Sequence, residues 1–268
     1  MLKDITLGQY FPGKSPIHLL DPRTKLLFLI IYFIALFTAD GWISYGIVLV
    51  FLSTVIYMTT IPLKTIVKGL KPLIFILVFT GILNLFMTPG ENVLVSFWGL
   101  KITTEGLVQA IFMVSRILML IVGTFLLTYT TSPIALTDGL ESLLGPLKKL
   151  HLPVHELSMM MCIALRFIPT LIEETDKIMS AQKARGADFE TGSLMQRVKA
   201  LVPILVPLFI GAFRRADELA TAMECRCYQG GEGRTKMKTL HYKRRDFVAF
   251  GSGAVLVAGI IVLRSFGL

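Results

Sequence analysis

The apolar residues of this chain are grouped in long blocks that contain almost no charged side chains. A membrane-spanning helix needs roughly 17–25 such residues, because each residue rises about 1.5 Å along the helix axis. Five blocks are near this length, and the first three are marginal. The pattern therefore predicts spans at residues 26–39, 43–58, 72–87, 106–129 and 247–263.

Residues 131–245 have a different pattern, in which charged side chains recur every few residues between apolar ones. This pattern is typical of amphipathic helices and predicts that the segment is not a spanning unit. Ser132-Pro133 indicates the start of the first helix, with the serine as N-cap and the proline in the first turn. An apolar stripe then follows on one face, formed by Leu136, Leu140, Leu143, Leu144 and Leu147.

Two longer amphipathic helices are predicted in the rest of this segment. The first runs from about Val154 to Arg185, and Gly186 is placed to end it as a left-handed cap. The second begins at a capping box formed by Ser193 and Gln196 and ends near Cys227. Prolines inside both helices predict kinks.

These elements predict an all-α polytopic membrane protein with about five transmembrane helices and a cytoplasmic coupling domain of three long amphipathic helices. Residues 1–130 are the predicted membrane domain, residues 131–245 the coupling domain and residues 246–268 the last transmembrane helix. Composition agrees, since 54% of the 268 residues are hydrophobic and 17% are charged, against about a quarter charged in soluble domains. The first residues lack the basic start and apolar core of a signal peptide.

The basic residues give the predicted orientation. Of 27 Lys and Arg residues, 17 lie within residues 131–245, whereas residues 89–105 contain only Lys101. Cytoplasmic loops of membrane proteins are enriched in these residues. We therefore expect the N-terminus and the coupling domain in the cytoplasm and the C-terminus outside. The net charge of +9 is interpreted as a topology signal, and no nucleic-acid partner is expected.

The two long helices are predicted to end in similar sequences. Residues 174–188 (ETDKIMSAQKARGAD) align without gaps with residues 215–229 (RADELATAMECRCYQ). Each copy places an arginine between two small residues, Ala184-Arg185-Gly186 in the first and Cys225-Arg226-Cys227 in the second. The repetition suggests two equivalent docking tips, whose planar guanidinium groups suit carboxylates or carbonyls of a partner. The alternative is that each arginine only caps the negative C-terminal end of its helix.

Other chemical interpretations of the second tip are weaker. Cys225 and Cys227 supply at most two soft ligands where a structural zinc site needs four, so no metal site is predicted. The glycine-rich run that follows, GGEGRT, lacks the lysine and the strand-to-helix setting of a phosphate-binding loop. His155-Glu156 has no second histidine four residues after the first. The chain therefore has no visible means of hydrolysing ATP, and no cofactor is expected in it.

Three further features have two interpretations each. Glu173-Glu174 weakly resembles the glutamates of intramembrane proteases, but on a charged helix a solvated face is the simpler interpretation. Arg116 lies inside the fourth predicted span, where a charge is costly. It either pairs with backbone carbonyls in a structural role or helps to hold a partner. The methionine cluster is either ordinary core or an adaptable apolar surface, and it consists of Met159, Met160 and Met161.

The order and spacing of several motifs together resemble the transmembrane T component of energy-coupling factor (ECF) transporters, the family related to the cobalt-permease subunit. The resemblance covers nearly the whole chain. It is carried by LLDPRTK (19–25), TTSP (130–133), ALRFIP (164–169), the Glu173-Glu174 pair, AQKARGAD (181–188) and the second tip at 225–227.

This resemblance implies a scaffold and not an enzyme. In this family the T component joins two ABC-type ATPase subunits, which bind ATP and Mg²⁺, to a small substrate-binding membrane protein, the S component. Arg185 and Arg226 match the family's tip arginines, which dock into grooves on the ATPases. The second tip departs from the family's Ala-Arg-Gly-like pattern, and unequal tips would suit two different ATPases.

The function implied by the resemblance is energy coupling for the uptake of a vitamin or a metal ion across the bacterial plasma membrane. The long helices would act as levers that reorient the S component, and the leucine stripe and methionine cluster are its predicted contact surface. Two rivals stay open: a self-contained secondary transporter, although the spans offer few polar groups beyond Arg116 and Asn84, and an intramembrane protease using Glu173 and Glu174. The substrate is not predicted, because in this family another subunit binds it.

Overall fold

A computed structural model describes residues 10–89, 93–97, 100–146, 153–189, 193–231 and 239–266. The elements in chain order are α1 (Pro22–Thr38), α2 (Trp42–Thr59), α3 (Leu63–Leu70), α4 (Ile74–Met87), β1 (Val93–Phe97), β2 (Leu100–Thr103), α5 (Thr104–Thr130), α6 (Pro133–Leu144), α7 (Val154–Ala184), α8 (Leu194–Glu224) and α9 (Arg244–Ser265). A 3₁₀ turn at Lys71–Leu73 joins α3 to α4. The predicted helical, polytopic architecture is confirmed.

A short antiparallel hairpin between α4 and α5 was not predicted. β1 pairs with β2, with Phe97 opposite Leu100 and Ser96 opposite Lys101. The sequence carried a weak signal for it, since Val93, Val95 and Phe97 alternate with other residues and are all of types enriched in strands. The hairpin lies in the predicted loop that has a single lysine.

Within the described residues, five helical segments have the length and composition of a membrane span, and four of them contain the second to fifth predicted spans. The other is α7, which the charge pattern had assigned to the coupling domain. Its charges are concentrated in the second half, because residues 154–171 contain only Glu156 and Arg166 among the acidic, Lys and Arg residues. The recurrence of charges on which the assignment of residues 131–245 rested therefore does not hold for the first half of α7, and the assignment of α7 to the coupling domain stays a prediction. The predicted first span corresponds to α1, which has 17 residues and is not among the five.

The described residues form two compact units. The first comprises Leu140–Thr239, and the second comprises residues 10–139 and 240–266. The second unit contains the main apolar core, where α1, α2, α5 and α9 pack together. The largest fully buried apolar side chains of this core are Leu36, Val48, Tyr129 and Ile260.

The DPRTK motif in this second unit starts α1 and holds its first turn. The Asp21 carboxylate accepts the Arg23 backbone N–H at 2.9 Å and so acts as the N-cap, with Pro22 in the first turn. The Arg23 guanidinium also pairs with Asp21 at 3.0 Å and lies 4.1 Å from the centroid of the Tyr242 ring. Burial raises the pKa of Asp21, but hydrogen bonds and charge from Arg23 outweigh it, so the net pKa lies below its ordinary value.

A second carboxylate, Asp246 at the start of α9, joins this network. Its side chain is 1% exposed. It accepts the backbone N–H of Asp21 at 2.9 Å and that of Lys243 at 2.7 Å, so one carboxylate links the starts of α1 and α9. The nearby Lys25 ammonium donates to the Thr130 carbonyl at 2.8 Å, at the end of α5. Two of the motifs that carried the family resemblance, DPRTK and TTSP, therefore meet in one buried polar network.

Candidate functional site

The first tip is an exposed helix end with a left-handed cap. Gly186 has φ +89°, as predicted for a cap at this position. Its N–H donates to the Lys183 carbonyl at 3.0 Å, and the N–H of Ala187 donates to the Gln182 carbonyl at 3.0 Å. These two bonds are the Schellman pattern, which satisfies carbonyls at the end of a helix. Arg185 is the residue between the helix and the left-handed cap.

The second tip has the same backbone pattern. Cys227 has φ +55°. Its N–H donates to the Glu224 carbonyl at 2.8 Å, and the N–H of Tyr228 donates to the Met223 carbonyl at 3.1 Å. Each donor and acceptor is the aligned counterpart of one in the first tip. Helix α8 ends at Glu224, three residues before the predicted end near Cys227, because residues 225–227 form this turn.

The sequence repeat is therefore also a structural repeat. In both copies the arginine directly precedes a residue in the left-handed region, so the two arginines occupy equivalent places on two equivalent helix ends. The tip residues all lie at exposed positions, namely Ala184, Arg185, Gly186, Cys225, Arg226 and Cys227. Their role in docking stays a prediction.

The left-handed caps predict that Gly186→Ala loosens the first tip. A Cβ added at Gly186 meets no atom of the described residues within 4 Å, so the expected cost is backbone strain, about 1 kcal/mol for an L-residue in this region. We expect amide exchange of peptides covering residues 182–188 to speed up about fivefold in hydrogen–deuterium exchange of the full chain. Gly145→Ala is the matched control, because its Cβ also meets no described atom within 4 Å and its φ is not in the left-handed region. Equal exchange in native chain and Gly186→Ala would contradict the strain argument.

The same argument applies with opposite sign to the second tip. Cys227 is a non-glycine residue in the left-handed region, so Cys227→Gly removes a cost of about 1 kcal/mol. We expect exchange of peptides covering residues 223–229 to slow by a few fold.

Helices α6 and α7 are linked by a polar cluster that the sequence analysis did not find. The Glu141 carboxylate accepts from Ser158 Oγ at 2.8 Å and lies 3.1 Å from His155 Nδ1. Gly231, after the second tip, packs directly on the His155 ring. His155 is thus engaged in a structural contact, and among the described residues no group of three or more His, Cys, Asp or Glu is arranged to hold a metal ion.

The predicted leucine stripe and methionine cluster are only partly exposed. Leu140, Met160 and Met161 are exposed, whereas Leu136, Leu143, Leu144 and Met159 are half-buried. Leu147 lies outside the described residues. The buried positions of α6 are Thr137 and Gly139.

A larger apolar surface, missed in the sequence, runs along α8. Its exposed members are Met195, Val198, Leu201, Val202, Leu205, Val206, Phe209, Ile210 and Phe213. Phe209 and Phe213 contact each other, with ring centroids 5.4 Å apart. The sequence contained the signal, because apolar residues recur along most of α8. An amphipathic helix normally buries such a face against a neighbour, and here much of it is exposed.

Arg116 and Glu174 have defined partners. Arg116 Nη2 donates to the Ala39 carbonyl at 3.2 Å, at the end of α1, and its guanidinium lies 5.7 Å from the Tyr45 ring centroid. This contact agrees with the structural interpretation of Arg116, in which the guanidinium pairs with backbone carbonyls. Glu174 on α7 forms an ion pair with Arg215 on α8, whereas the adjacent Glu173 is exposed.

Comparison with known proteins gives consistent matches. The family model of the cobalt transport protein family matches residues 13–237. A relative from Thermosediminibacter oceani is 56% identical over 98% of this chain and 99% of its own length. Relatives from Ruminiclostridium cellulolyticum (52% identical, 98% of each chain) and Bacillus subtilis (50% identical, 99% of this chain and 100% of the relative) match equally fully. All three are named energy-coupling factor transporter transmembrane protein EcfT.

Proposed function

Because this chain belongs to the cobalt transport protein family and is the transmembrane component of an energy-coupling factor transporter, we propose that it transmits the motion of two ABC-type ATPases to a substrate-binding membrane subunit. The observation that carries this proposal is the pair of equivalent tips, each with an exposed arginine before a left-handed cap. Two matched tips suit two related partners, which is what a pair of ATPase subunits provides.

The tips are proposed to bind the ATPases, and the chain itself is not an enzyme in this account. ATP and Mg²⁺ are held by the partner subunits. Each tip arginine offers five N–H donors in a fixed planar arrangement, which suits a carboxylate or a set of carbonyls in a groove. The small residues beside each arginine allow the backbone of the tip to approach closely.

The S component is proposed to contact the exposed apolar surface of α8, together with Leu140, Met160 and Met161. Exposed apolar patches of this extent mark protein or membrane contacts, and Met side chains adapt to differing partners. The cargo of such a transporter is a vitamin or a metal ion. The N-terminus and the tips are proposed to lie in the cytoplasm and the C-terminus outside, following the basic residues.

Purification from native membranes in mild detergent tests this function. We expect the tagged chain to copurify with two ATPase polypeptides and one small membrane protein. Transport by the purified chain alone, without ATP, would instead favour a secondary transporter. Proteolysis that is lost in Glu173→Gln would favour an intramembrane protease, a rival weakened by the engagement of Glu174 with Arg215.

Exchanging the two tips tests whether each is specific for one ATPase. Residues 184–186 become Cys-Arg-Cys, and residues 225–227 become Ala-Arg-Gly. If unequal tips select different ATPases, each ATPase would have to bind at the other helix, and we expect less of both ATPases to copurify with the exchanged chain than with the native chain. Unchanged assembly with both ATPases would remove support for selection, while leaving docking itself intact.

A further inference from the structure

Helices α7 and α8 contact each other at a partly buried ion pair. The Glu174 carboxylate on α7 pairs with the Arg215 guanidinium on α8, and the two side chains are 27% and 28% exposed. Gly211, one turn before Arg215, allows this approach, because a Cβ there would lie 3.1 Å from Glu174 Oε1. The contact is thus built from a charge pair and a residue without a side chain.

The same two residues are equivalent in the internal repeat. Glu174 is the first residue of one copy and Arg215 the first residue of the other, and each precedes its tip arginine by eleven residues. At about 1.5 Å per residue, each tip lies roughly 16 Å along its helix from this contact. The segment from this contact to the tip therefore has the same length in both helices, and we call these two segments the arms.

A second polar contact fixes the direction of the crossing. Pro207 has no N–H, so the Pro203 carbonyl four residues earlier lacks its helical donor. Gln182 Nε2 on α7 donates to this carbonyl at 3.5 Å. Moving forward on α7 from Glu174 to Gln182 thus corresponds to moving backward on α8, so the helices run antiparallel and the two tips point away from each other.

The opposite charges of Glu174 and Arg215 suit a crossing at equivalent positions of the repeat. Where two copies of a repeat cross at equivalent residues, identical charged side chains would repel each other. The aligned sequence places a glutamate in one copy and an arginine in the other at this point. Their neighbours Glu173 and Arg214 are also aligned with each other but are exposed, so they serve as matched controls.

We propose that Glu174 and Arg215 form the pivot on which the two tipped helices turn during energy coupling. By fixing the point of contact on both helices, this pair keeps the distance from the pivot to each tip the same. The inference rests on the proposed function, because a pivot matters only if the tips are moved by partners. Glu174 and Arg215 are positioning residues in this account and do not contact the ATPases. Gly211 is the third element, because it sets how closely the helices approach.

Charge exchange in the complete transporter tests the pivot. We expect Glu174→Arg and Arg215→Glu, taken singly, to reduce uptake per ATP hydrolysed at least about tenfold, because like charges then face each other at the crossing. The double variant Glu174→Arg/Arg215→Glu restores opposite charges and should recover uptake to within about twofold of native. Glu173→Arg and Arg214→Glu, which make the same charge changes at exposed positions, should retain native coupling. Native coupling in both single pivot variants overturns the proposal.

A distance measurement on the full chain alone separates this proposal from the proposed function. Spin labels are placed at the equivalent positions 184 and 225, using Ala184→Cys and the native Cys225 with Cys162→Ser and Cys227→Gly. We expect a narrow distribution of label distances in the native pair and in the charge-exchanged double variant, and a broadened one in each single variant. Equal widths in all four chains overturn the pivot even if the ATPases bind as proposed. If no ATPase binds the native chain, the proposed function fails while the distance result still tests the crossing.

Discussion

Replacing both tip arginines, as Arg185→Glu together with Arg226→Glu, is expected to abolish ATP-driven uptake. Each substitution removes the charged donors and places a carboxylate where a partner is proposed to present acceptors. A hydrogen bond to a charged group contributes about 1.5–3 kcal/mol, so losing both tips should weaken ATPase binding at least about 100-fold. Uptake into membrane vesicles and the amount of ATPase that copurifies with the chain measure the two effects.

Charge reversal elsewhere on the same helices provides the control. Lys177 on α7 and Arg214 on α8 are exposed and lie away from the tips. The double variant Lys177→Glu/Arg214→Glu makes the same change in net charge and should retain both uptake and ATPases. Full uptake by the tip variant would contradict docking by arginine and leave helix capping as the role of these residues.

Removing the buried carboxylate of the second unit, as Asp246→Ala, is expected to cause the largest loss of stability. Asp246 is 1% exposed and accepts two backbone N–H groups. Both donors would be left without this acceptor, and the starts of α1 and α9 would lose their link. Two hydrogen bonds to a buried charge are together worth about 3 kcal/mol or more. We expect the unfolding temperature in detergent to fall by roughly 6–12 °C.

A second carboxylate in the same unit gives the matched control. Asp40 pairs with Arg264 at 3.0 Å, but both side chains are more than half exposed. Exposed ion pairs contribute about 0–1 kcal/mol, so Asp40→Asn should shift the unfolding temperature by at most about 4 °C. A shift for Asp246→Ala as small as that of Asp40→Asn would show that the network around Asp246 does not hold the helices together.

Features that depend on local sequence could be predicted well. The N-cap at Ser132, the capping box of Ser193 and Gln196, and the left-handed cap at Gly186 are all present. Each is decided by hydrogen bonds between residues close in the chain, so the sequence contains the whole interaction. The gap-free repeat likewise predicted two equivalent helix ends before their backbone bonds were known.

Two features were less predictable: the uneven distribution of charge along α7, and the short strands β1 and β2. Helix α7 was judged by its overall charge, although its charged residues are concentrated in its second half. The hairpin of β1 and β2 was missed because four- and five-residue strands give too short an alternation to stand out in an apolar chain.

Contacts between distant residues could not be derived from the sequence at all. Glu174 resembled a residue of a solvated helix face, because its partner Arg215 lies on another helix. Asp21 and Asp246 are separated by 225 positions, and neither pattern nor charge indicated that they share a hydrogen bond. The DPRTK motif was recognisable as a family signature, but its physical role became clear only when α9 was seen beside it.

The proposal that the tips bind the ATPases is tested most directly by cross-linking from the second tip. A thiol-reactive photo-cross-linker is attached to Cys225 and Cys227, both exposed, in the native complex of a Cys162→Ser chain. We predict that the cross-linked product contains an ATPase subunit. The same reagent on Ala212→Cys, an exposed position of α8 away from the tip in a chain without other cysteines, should give no such product. Cross-links from the tip that capture only other membrane subunits, or none, would contradict docking of the tip on the ATPases.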